Sequence, residues 1–318
     1  MKKPGLDVLA FGEVLWDLFE DDTGDFLPRL GGAPANLVVH LARLGFRAGV
    51  LGGVGDDFLG ARLRDELRQA GVALGPLVTK KERTGVVFIR RSKDGEPNFL
   101  FYREQSADMT ISAKDVERVF SPPAVVHVST STLSRPLLAK ATWELLAKAD
   151  GKAFVVCDLN VRLRMWKSRE HLRKATKKLL RHARLVKASE GDFRAMGFSS
   201  TKEGLRFLEK RVPIVLLTRG GGAAEVHREG KVIAKVAANK TKVVDATGAG
   251  DGFLAGFLAV LLRAKKVSGT KLTAGPEELL AALRFGHEIG SRVVGKIGSI
   301  EGTRDVSAMK KAFARTSC

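Results

Sequence analysis

Two carboxylates lie among small residues in the stretch Val243-Val244-Asp245-Ala246-Thr247-Gly248-Ala249-Gly250-Asp251-Gly252-Phe253. This stretch leads into an apolar run with helical spacing. The first N–H groups of a helix have no internal partner and carry partial positive charge, so a Gly-Ala-Gly turn before a helix can bind an anion such as a phosphate. Asp251 would repel that anion unless it takes a proton from an attacking group, and this pairing favours phosphoryl transfer to a hydroxyl. An ordinary Gly-rich turn with Asp at a helix start fits the stretch equally well.

The whole chain has a globular composition of 318 residues, of which 44% are hydrophobic. It contains Cys157 and Cys318 as its two cysteines, too few for a disulfide framework, which predicts a reducing compartment and a cytoplasmic location. The start of the chain is a poor signal peptide, and no apolar stretch reaches about 18 residues, so no membrane partner is expected. The six histidines show no ligand spacing, which argues against a structural metal.

The net charge of +19 raises the question of nucleic acid as a partner. The stretch from Arg162 to Lys187 is the most basic, with eleven Lys and Arg against one acidic residue. Its leucines at 172, 179 and 180 and Ala175 share one face of a predicted helix, which leaves the basic side chains on the other face. We therefore expect a solvated surface and no specific nucleic-acid partner; a nucleic-acid-binding protein stays the alternative from another class.

Elements along the chain predict a mixed fold. Two hairpins are expected early, at Val14–Arg29 and at Thr84–Glu104, the second with the turn Lys93-Asp94-Gly95-Glu96. From about residue 124, short apolar runs alternate with helical patterns, which indicates a parallel sheet covered on both faces. A late hairpin at 226–232 and a last helix from about Pro276 to Val294 complete the prediction.

Polar clusters follow three of the predicted strands, at 158–162, 189–192 and 218–222. Each alone fits ordinary turn chemistry, but active sites of such sheets gather at the carboxyl ends of the strands, so together they favour one shared site. The segment Gly290–Ile297 fits G-x-x-x-x-G-K but has Ile297 where a P-loop needs Ser or Thr, and it ends a helical pattern. We therefore predict that it is not a P-loop.

Two motifs resemble a known family. Gly31-Gly32-Ala33-Pro34-Ala35-Asn36 with its following helix resembles the first signature of the ribokinase-like (PfkB) carbohydrate kinases, and Asp245–Asp251 resembles the second, D-x-T-G-A-G-D. They lie about 210 residues apart, as in that family, and the resemblance covers nearly the whole chain. Gly12–Asp17 and Phe101–Met109 look most similar to fructokinase segments.

The family implies an α/β fold, a three-layer α/β/α sandwich with a mostly parallel central sheet, as a single domain over residues 1–318. It also implies a small β-lid over the sugar, formed by about residues 13–30 and 84–105, which often makes a dimer contact. We therefore expect a homodimer through the β-lid.

Residue roles carried over from the family are expectations. Asp251 would be the base, and the N–H groups of Ala249 and Gly250, with Gly248, would form the anion hole for the γ-phosphate. The sugar or the transferred phosphate would be contacted by Asp17, Gly31, Gly32, Asn36, Tyr102, Arg103, Asp158 and Arg162, with Asn160 near the phosphate path. The nucleotide would be lined by Ser189, Thr218, Gly220 and Gly250. Asp245 and Thr247 would contribute to a monovalent-cation loop, with K+ as its ion.

One departure concerns magnesium. The family often carries Asn-x-x-Glu where this chain has Ser189-Glu190-Gly191-Asp192, whose first and last side chains have a shorter reach. The water-mediated Mg2+ contact of that motif therefore does not carry over directly, and we expect Glu190 to replace it.

The resemblance implies ATP- and Mg2+-dependent phosphorylation of a ketose, with D-fructose at its terminal hydroxyl as the expected substrate. Within the family, a 2-keto-3-deoxygluconate kinase and a nucleoside kinase stay as alternatives, since Tyr102-Arg103 also suits an acid sugar. A sugar-sensing protein without turnover is a further reading, against which the intact Asp251 argues.

Overall fold

The structure, a computed structural model, describes residues 5–91 and 97–316. The predicted turn at Lys93–Glu96 and Cys318 lie outside the described residues. The strands are β1 (Val8–Phe11), β2 (Leu15–Glu20), β3 (Phe26–Gly31), β4 (Ala48–Leu51), β5 (Gly53–Gly55), β6 (Val78–Lys80), β7 (Gly85–Arg91), β8 (Pro97–Tyr102), β9 (Val125–Ser129), β10 (Phe154–Asp158), β11 (Leu185–Ser189), β12 (Ile214–Thr218), β13 (Ala224–Arg228), β14 (Lys231–Val236), β15 (Val267–Ser268) and β16 (Lys271–Leu272). The helices are α1 (Ala33–Arg43), α2 (Phe58–Gln69), α3 (Ala113–Val119), α4 (Pro136–Ala149), α5 (Arg169–Leu179), α6 (Glu190–Ala195), α7 (Thr201–Glu209), α8 (Ala249–Arg263), α9 (Pro276–Val294) and α10 (Val306–Ala314).

An eight-stranded sheet in the order β14-β13-β12-β11-β10-β9-β1-β4 forms the centre of the fold. The strands from β12 to β4 in this order are parallel, and β13 and β14 form the predicted late hairpin at one edge. In β1, Val8 and Ala10 belong to the hydrophobic core on one face and Leu9 and Phe11 to the core on the other. Because alternate side chains are buried on opposite faces, the strand is covered on both sides, which confirms the predicted three-layer α/β/α arrangement.

Helix α8 is the inner helix of one layer, and its residues from Gly252 to Leu261 are all buried. It packs closely against α9, since a Cβ on Gly256 would lie 2.7 Å from the carbonyl oxygen of Phe285. Helix α1 packs on α8 as well. The two family signatures, which begin α1 and α8, are therefore held side by side at one edge of the sheet.

A separate four-stranded sheet in the order β3-β2-β7-β8 stands at that same edge. It contains both predicted hairpins, joined by parallel pairing of β2 with β7. Leu15, Phe19, Val87 and Ile89 form its small core, against which Phe99 and Phe101 pack. We call this sheet the lid.

Two sequence-based expectations differ from the structure. The chain continues past α9 into a short helix, α10, whose first N–H groups are capped by the Asp305 side chain. The basic stretch contains α5 as expected, with Leu172 and Leu179 buried, but its last residue, Lys187, is a buried part of β11. Within the described ranges, none of the helices combines the length and the apolar character needed to cross a bilayer.

Candidate active site

Two cavities meet above the carboxyl edge of the central sheet. The first, of about 340 Å³, lies under the lid, and the second, of about 390 Å³, lies beside the ends of β11 and β12. Their shared wall consists of Asn160, Arg162, Lys187, Ala246 and Gly250. Two compartments with a common wall suit a reaction in which a group passes from one bound molecule to another.

Asp251 lies on the lid-side cavity, where the starts of α1 and α8 come together. The Asn36 Nδ2 donates a hydrogen bond to Asp251 Oδ2 at 2.9 Å. Burial raises the pKa of Asp251 to about 7, against the opposing effect of the Asn36 hydrogen bond. A carboxylate with a pKa near neutral is matched to accepting a proton from a hydroxyl, as the sequence predicted for this residue.

The turn before α8 matches the predicted anion site except at the Ala249 N–H, which is already hydrogen-bonded. Gly248 has a φ of 75°, and a Cβ there would lie 2.4 Å from the Cβ of Ser299, so both conformation and space call for glycine. The N–H of Ala249 donates to the carbonyl of Ala246 at 3.2 Å and is therefore engaged in the turn. The N–H groups of Gly250 and Asp251, in the first turn of α8, have no acceptor within the helix and point to an anion site there.

Asp17 enters the lid-side cavity from β2 and is only 8% exposed. Burial raises its pKa to about 7; the Arg103 charge acts in the other direction, while Asp245 and Glu13 add to the rise. A Cβ on Gly31 would lie 2.2 Å from Asp17 Oδ2. The first signature thus carries glycine at this position because the carboxylate occupies the space of a side chain.

Gly32 is required by a backbone contact instead, because a Cβ on it would lie 2.2 Å from the Glu13 carbonyl oxygen. Glu13 lines the cavity, and the Ser131 hydroxyl is 3.3 Å from its Oε2. Sequence reasoning included Glu13 in a fructokinase-like segment but gave it no role. The position of Glu13, one residue after the bend at Gly12, was the feature of the sequence that could have indicated a role in the site.

Arg103 lines the lid-side cavity as predicted, but its charge is already paired. Its Nε donates to Asp108 Oδ2 at 3.0 Å, a second nitrogen of the guanidinium donates to the same oxygen, and both residues are buried. The Ser106 hydroxyl also donates to Asp108. Arg162, which is exposed at the shared wall, is therefore the cation better placed to meet a substrate anion.

Tyr102 lies away from the cavity, which corrects the expectation that it contacts the substrate. The side chains of a strand alternate between its two faces, and in β8 the members on the cavity side are Phe99 and Phe101. Tyr102 is 59% exposed on the opposite face, where its ring contacts Phe88 edge-on.

Lys187 is a site residue that sequence reasoning placed wrongly, at the end of a solvated basic stretch. It is 6% exposed, it lines both cavities, and its Nζ donates to Asp158 Oδ2 at 2.8 Å. Asp158 itself lines neither cavity, and its Oδ1 is buried without a hydrogen-bond partner among the described residues. The signal available in the sequence was the position of Lys187 within the apolar run of β11.

The second cavity contains the residues predicted to line a nucleotide: Ser189, Thr218, Gly220 and Gly250. Ser189 and Thr218 end the neighbouring parallel strands β11 and β12, which brings them to the same edge. Gly290, Ser291 and Val294 from the end of α9 also line this cavity. The segment that mimics a P-loop is the end of a helix, as expected, yet it forms part of the site.

Glu190, the residue predicted to contact Mg2+ through water, is engaged by a neighbouring arginine. Its Oε1 accepts a hydrogen bond from Arg219 Nε at 3.1 Å, and it lines neither cavity. Asp192 lines the second cavity, but its Oδ1 accepts from the Val161 N–H at 2.7 Å and its Oδ2 from Ser189. Within residues 5–91 and 97–316, no group of three or more His, Cys, Asp or Glu side chains is arranged to hold a metal ion.

Asp245 organises the loop that precedes α8. Its Oδ1 accepts from the N–H and the hydroxyl of Thr247 at 3.0 and 2.7 Å, and its Oδ2 accepts from the Gly298 N–H at 2.9 Å. The carboxylate ties the second signature to the segment after α9. The expected K+ loop at these residues stays a prediction.

The fold and the two-compartment site define a phosphotransferase with an alcohol group as acceptor. The family model described as pfkB family carbohydrate kinase matches residues 6–305, and the chain belongs to that family. A fructokinase of Escherichia coli is 30% identical over 298 residues, covering 92% of this chain and 94% of that protein.

Solved structures agree with this assignment. A fructokinase double mutant from Vibrio cholerae O395, in fructose, ADP and potassium ion bound form, has a TM-score of 0.83 at 25% identity, covering 97% of this chain and 99% of that one. Aminoimidazole riboside kinase from Salmonella enterica, complexed with aminoimidazole riboside and an ATP analogue, shares the fold at a TM-score of 0.82 and 23% identity, covering 95% and 99%. The chain is a sugar kinase of the PfkB family.

Proposed function

We propose that this sugar kinase transfers the γ-phosphate of ATP to the terminal hydroxyl of D-fructose. The observation that carries the proposal is Asp251, a carboxylate with a pKa of about 7 in the lid-side cavity, beside a wall shared with a second cavity. The Vibrio cholerae relative binds fructose and ADP, which supports the same pair of ligands here.

In the proposed reaction the sugar occupies the lid-side cavity and the nucleotide the second one. The sugar hydroxyl attacks the γ-phosphorus, and its proton passes to Asp251. The bond from the γ-phosphorus to the bridging oxygen breaks, and ADP leaves with its electron pair. The free N–H groups at the start of α8 bind the charged phosphoryl oxygens, and the lid excludes the water that would otherwise accept the phosphate.

The charges around the lid-side cavity favour a neutral sugar over an acid sugar. Glu13, Asp17 and Asp251 contribute carboxylates, whereas the Arg103 charge is paired with Asp108. A substrate carboxylate would meet these carboxyl groups there. Lys187 is paired with Asp158, and Arg162 at the shared wall is the one exposed cation among the described residues of that lining. The carboxylates instead suit the hydroxyl groups of a ketose.

A sugar panel tests the proposal. We expect kcat/KM for fructose to exceed that for ribose, 2-keto-3-deoxygluconate and adenosine by at least about tenfold, or roughly 1.4 kcal/mol of transition-state binding. If the keto-acid is preferred, the acid-sugar alternative replaces this one; if adenosine is preferred, the nucleoside-kinase alternative does.

Magnesium is proposed to arrive with ATP rather than in a site built by the protein alone. Mg2+ commonly keeps several waters and binds through one or two carboxylates plus substrate phosphates, so the limited carboxylate set here fits such a mode. K+ at the Asp245 loop is proposed by analogy with the potassium-bound Vibrio cholerae relative. Both ions are tested by kinetics in chelated buffer with each ion added back.

The outer face of the lid is proposed to pair with that of a second copy. Phe26, Leu100 and Tyr102 are 42%, 60% and 59% exposed there, an unusual group of large apolar side chains. Leu100→Asp should shift sedimentation from dimer to monomer, whereas Val243→Asp, at an exposed position away from the lid, should not. A monomeric unaltered protein would contradict the proposal. The cytoplasmic location and the lack of a specific nucleic-acid partner stay predictions.

A further inference from the structure

Lys187 is a buried cation at the point where the two cavities meet. Its ion pair with Asp158 keeps the ammonium charged, since the nearby carboxylates raise the pKa of Lys187 against the effect of burial. Burying a lysine far from water is unfavourable unless it is paired, and even a paired lysine is more often exposed. This position therefore calls for an explanation beyond the packing of β11.

The space around the ammonium points toward the transferred group. A Cβ on Gly250 would lie 2.8 Å from Lys187 Nζ, so the absence of a side chain at Gly250 is what lets the ammonium reach the start of α8. The same glycine provides one of the free N–H groups of the anion site. Lys187 Nζ and the N–H of Gly250 thus lie beside the same small volume.

The rest of the site leaves a need for positive charge there. Arg103 is neutralised by Asp108, and Glu190 is held by Arg219, away from the cavities. Arg162 is the other cation of the shared wall, and it is exposed. A phosphoryl group in transfer spreads negative charge over its oxygens, and a fixed, water-excluded cation stabilises that charge more than an exposed one.

We propose that Lys187 is a catalytic residue whose ammonium donates hydrogen bonds to the transferring phosphoryl group, and that Asp158 is a positioning residue that holds it. Lys187 has three N–H donors, so one can stay with Asp158 while another turns to the phosphate. The ammonium keeps all its protons in the step, since the hydroxyl proton goes to Asp251 and the electron pair leaves with ADP. This role rests on the proposed phosphoryl transfer.

The first experiment compares Lys187→Gln with Lys177→Met, an exposed lysine of α5 outside both cavities, in the full-length enzyme. Glutamine keeps a donor for Asp158 but removes the charge. We expect kcat to fall by roughly 10²–10³-fold in Lys187→Gln, as for loss of an oxyanion-stabilising group, with the sugar dissociation constant within about threefold of the unaltered protein. The Lys177 variant should keep both values. A fall in kcat below about tenfold in a folded Lys187→Gln protein would overturn the proposal.

Chemical rescue separates a catalytic role from a structural one. In Lys187→Ala, n-propylammonium should restore part of kcat, because it returns a primary ammonium to the space that was emptied. Tetramethylammonium, which has no N–H donor, should not. Equal recovery with both salts, or none with either, counts against the role.

A third measurement uses the unaltered protein and does not depend on how the variants fold. An acyl phosphate of ATP transfers its acyl group to the neutral amine form of a lysine near the terminal phosphate. The reaction is run at high pH with a long incubation, so that the neutral fraction of Lys187 reacts, its proton goes to the buffer, and ATP leaves. Peptide mapping should find the acyl group on Lys187 and not on Lys177; an unlabelled Lys187 contradicts the inference. If the unaltered enzyme phosphorylates none of the sugars, the proposed function fails, whereas this labelling still reports on Lys187.

Discussion

The carboxylates of the lid-side cavity and those of the ion-pair cluster around Arg219 are held in different ways. On the lid side, Asp17 and Asp251 are buried with few compensating donors, and the pKa of each rises to about 7. In the cluster around Arg219, which lines neither cavity, Glu190 and Glu225 share that arginine, and hydrogen bonds from Arg219, Lys235 and His227 outweigh burial and hold the pKa of Glu225 at about 2. The proposed proton transfer therefore suits the lid side, whereas the Glu225 carboxylate stays ionised among its basic partners.

The largest effect is expected when Asp251, the proposed base, is changed. Asp251→Asn should lower kcat by roughly 10²–10⁴-fold, the usual worth of a general base, and should keep most sugar binding because the amide still fills the site. Steady-state kinetics and calorimetric sugar titration measure the two quantities. Asp22→Asn, at an exposed position, is the control, and a loss smaller than about tenfold for Asp251→Asn would remove the base assignment.

A smaller effect is expected when the carboxylate pocket is crowded. Gly31→Ala places a Cβ 2.2 Å from Asp17 Oδ2, so the carboxylate must move from its position. Loss of a hydrogen bond to a charged group should lower kcat/KM for the sugar by roughly 10–100-fold. Gly75→Ala, where a Cβ meets nothing within 4 Å, is the matched control. Equal kinetics for both variants would show that Asp17 does not bind the sugar.

The raised pKa of Asp17 also predicts a stability effect with a definite sign. The folded state holds the proton up to about pH 7 while the unfolded chain loses it near pH 3.8, so this group costs stability as the pH rises between those values. Asp17→Asn should therefore raise Tm at pH 8 by at least roughly 2–4 °C, about 1 kcal/mol, with little change at pH 4. Thermal unfolding at both pH values, without sugar, measures this. A lower Tm at pH 8 contradicts the assigned pKa.

The smallest effect is expected in the cluster around Arg219, outside both cavities. Glu190→Gln removes one partly exposed ion-pair partner of Arg219, and Arg219 keeps its ion pair with Glu225. Because of this, KM for MgATP should change by less than about fivefold. ATP titrations at saturating sugar measure it. A much larger change would restore the magnesium role expected from the sequence and would weaken the contrast between the lid-side cavity and the cluster around Arg219.

Much of the fold followed from local signals. Hydrophobic alternation and helical periodicity placed both lid hairpins, the parallel sheet and the glycine-led starts of α1 and α8. These features were predictable because each depends on residues close together in the chain. The short helix α10 was missed because its nine residues carry too little periodic signal.

The places where the structure departs from the predicted site depend on contacts distant in sequence or on the alternation of side chains along a strand. Glu190 meets Arg219, which lies 29 residues away, and no local pattern predicts that pair. The resemblance of Phe101–Met109 to a fructokinase segment predicts a substrate contact for Tyr102, but the alternation of β8 turns it outward. Lys187 was counted with its basic neighbours, although its strand carries it into the interior.

The hydrogen bond between Asn36 and Asp251 joins residues 215 positions apart. A contact of such high sequence separation forms only after the chain between the two signatures has closed, and long-range closure is slow. During synthesis the lid and the first strands emerge long before the base does. Catalytic activity is therefore a late marker of folding, and in a refolding experiment it should recover after the helical signal does.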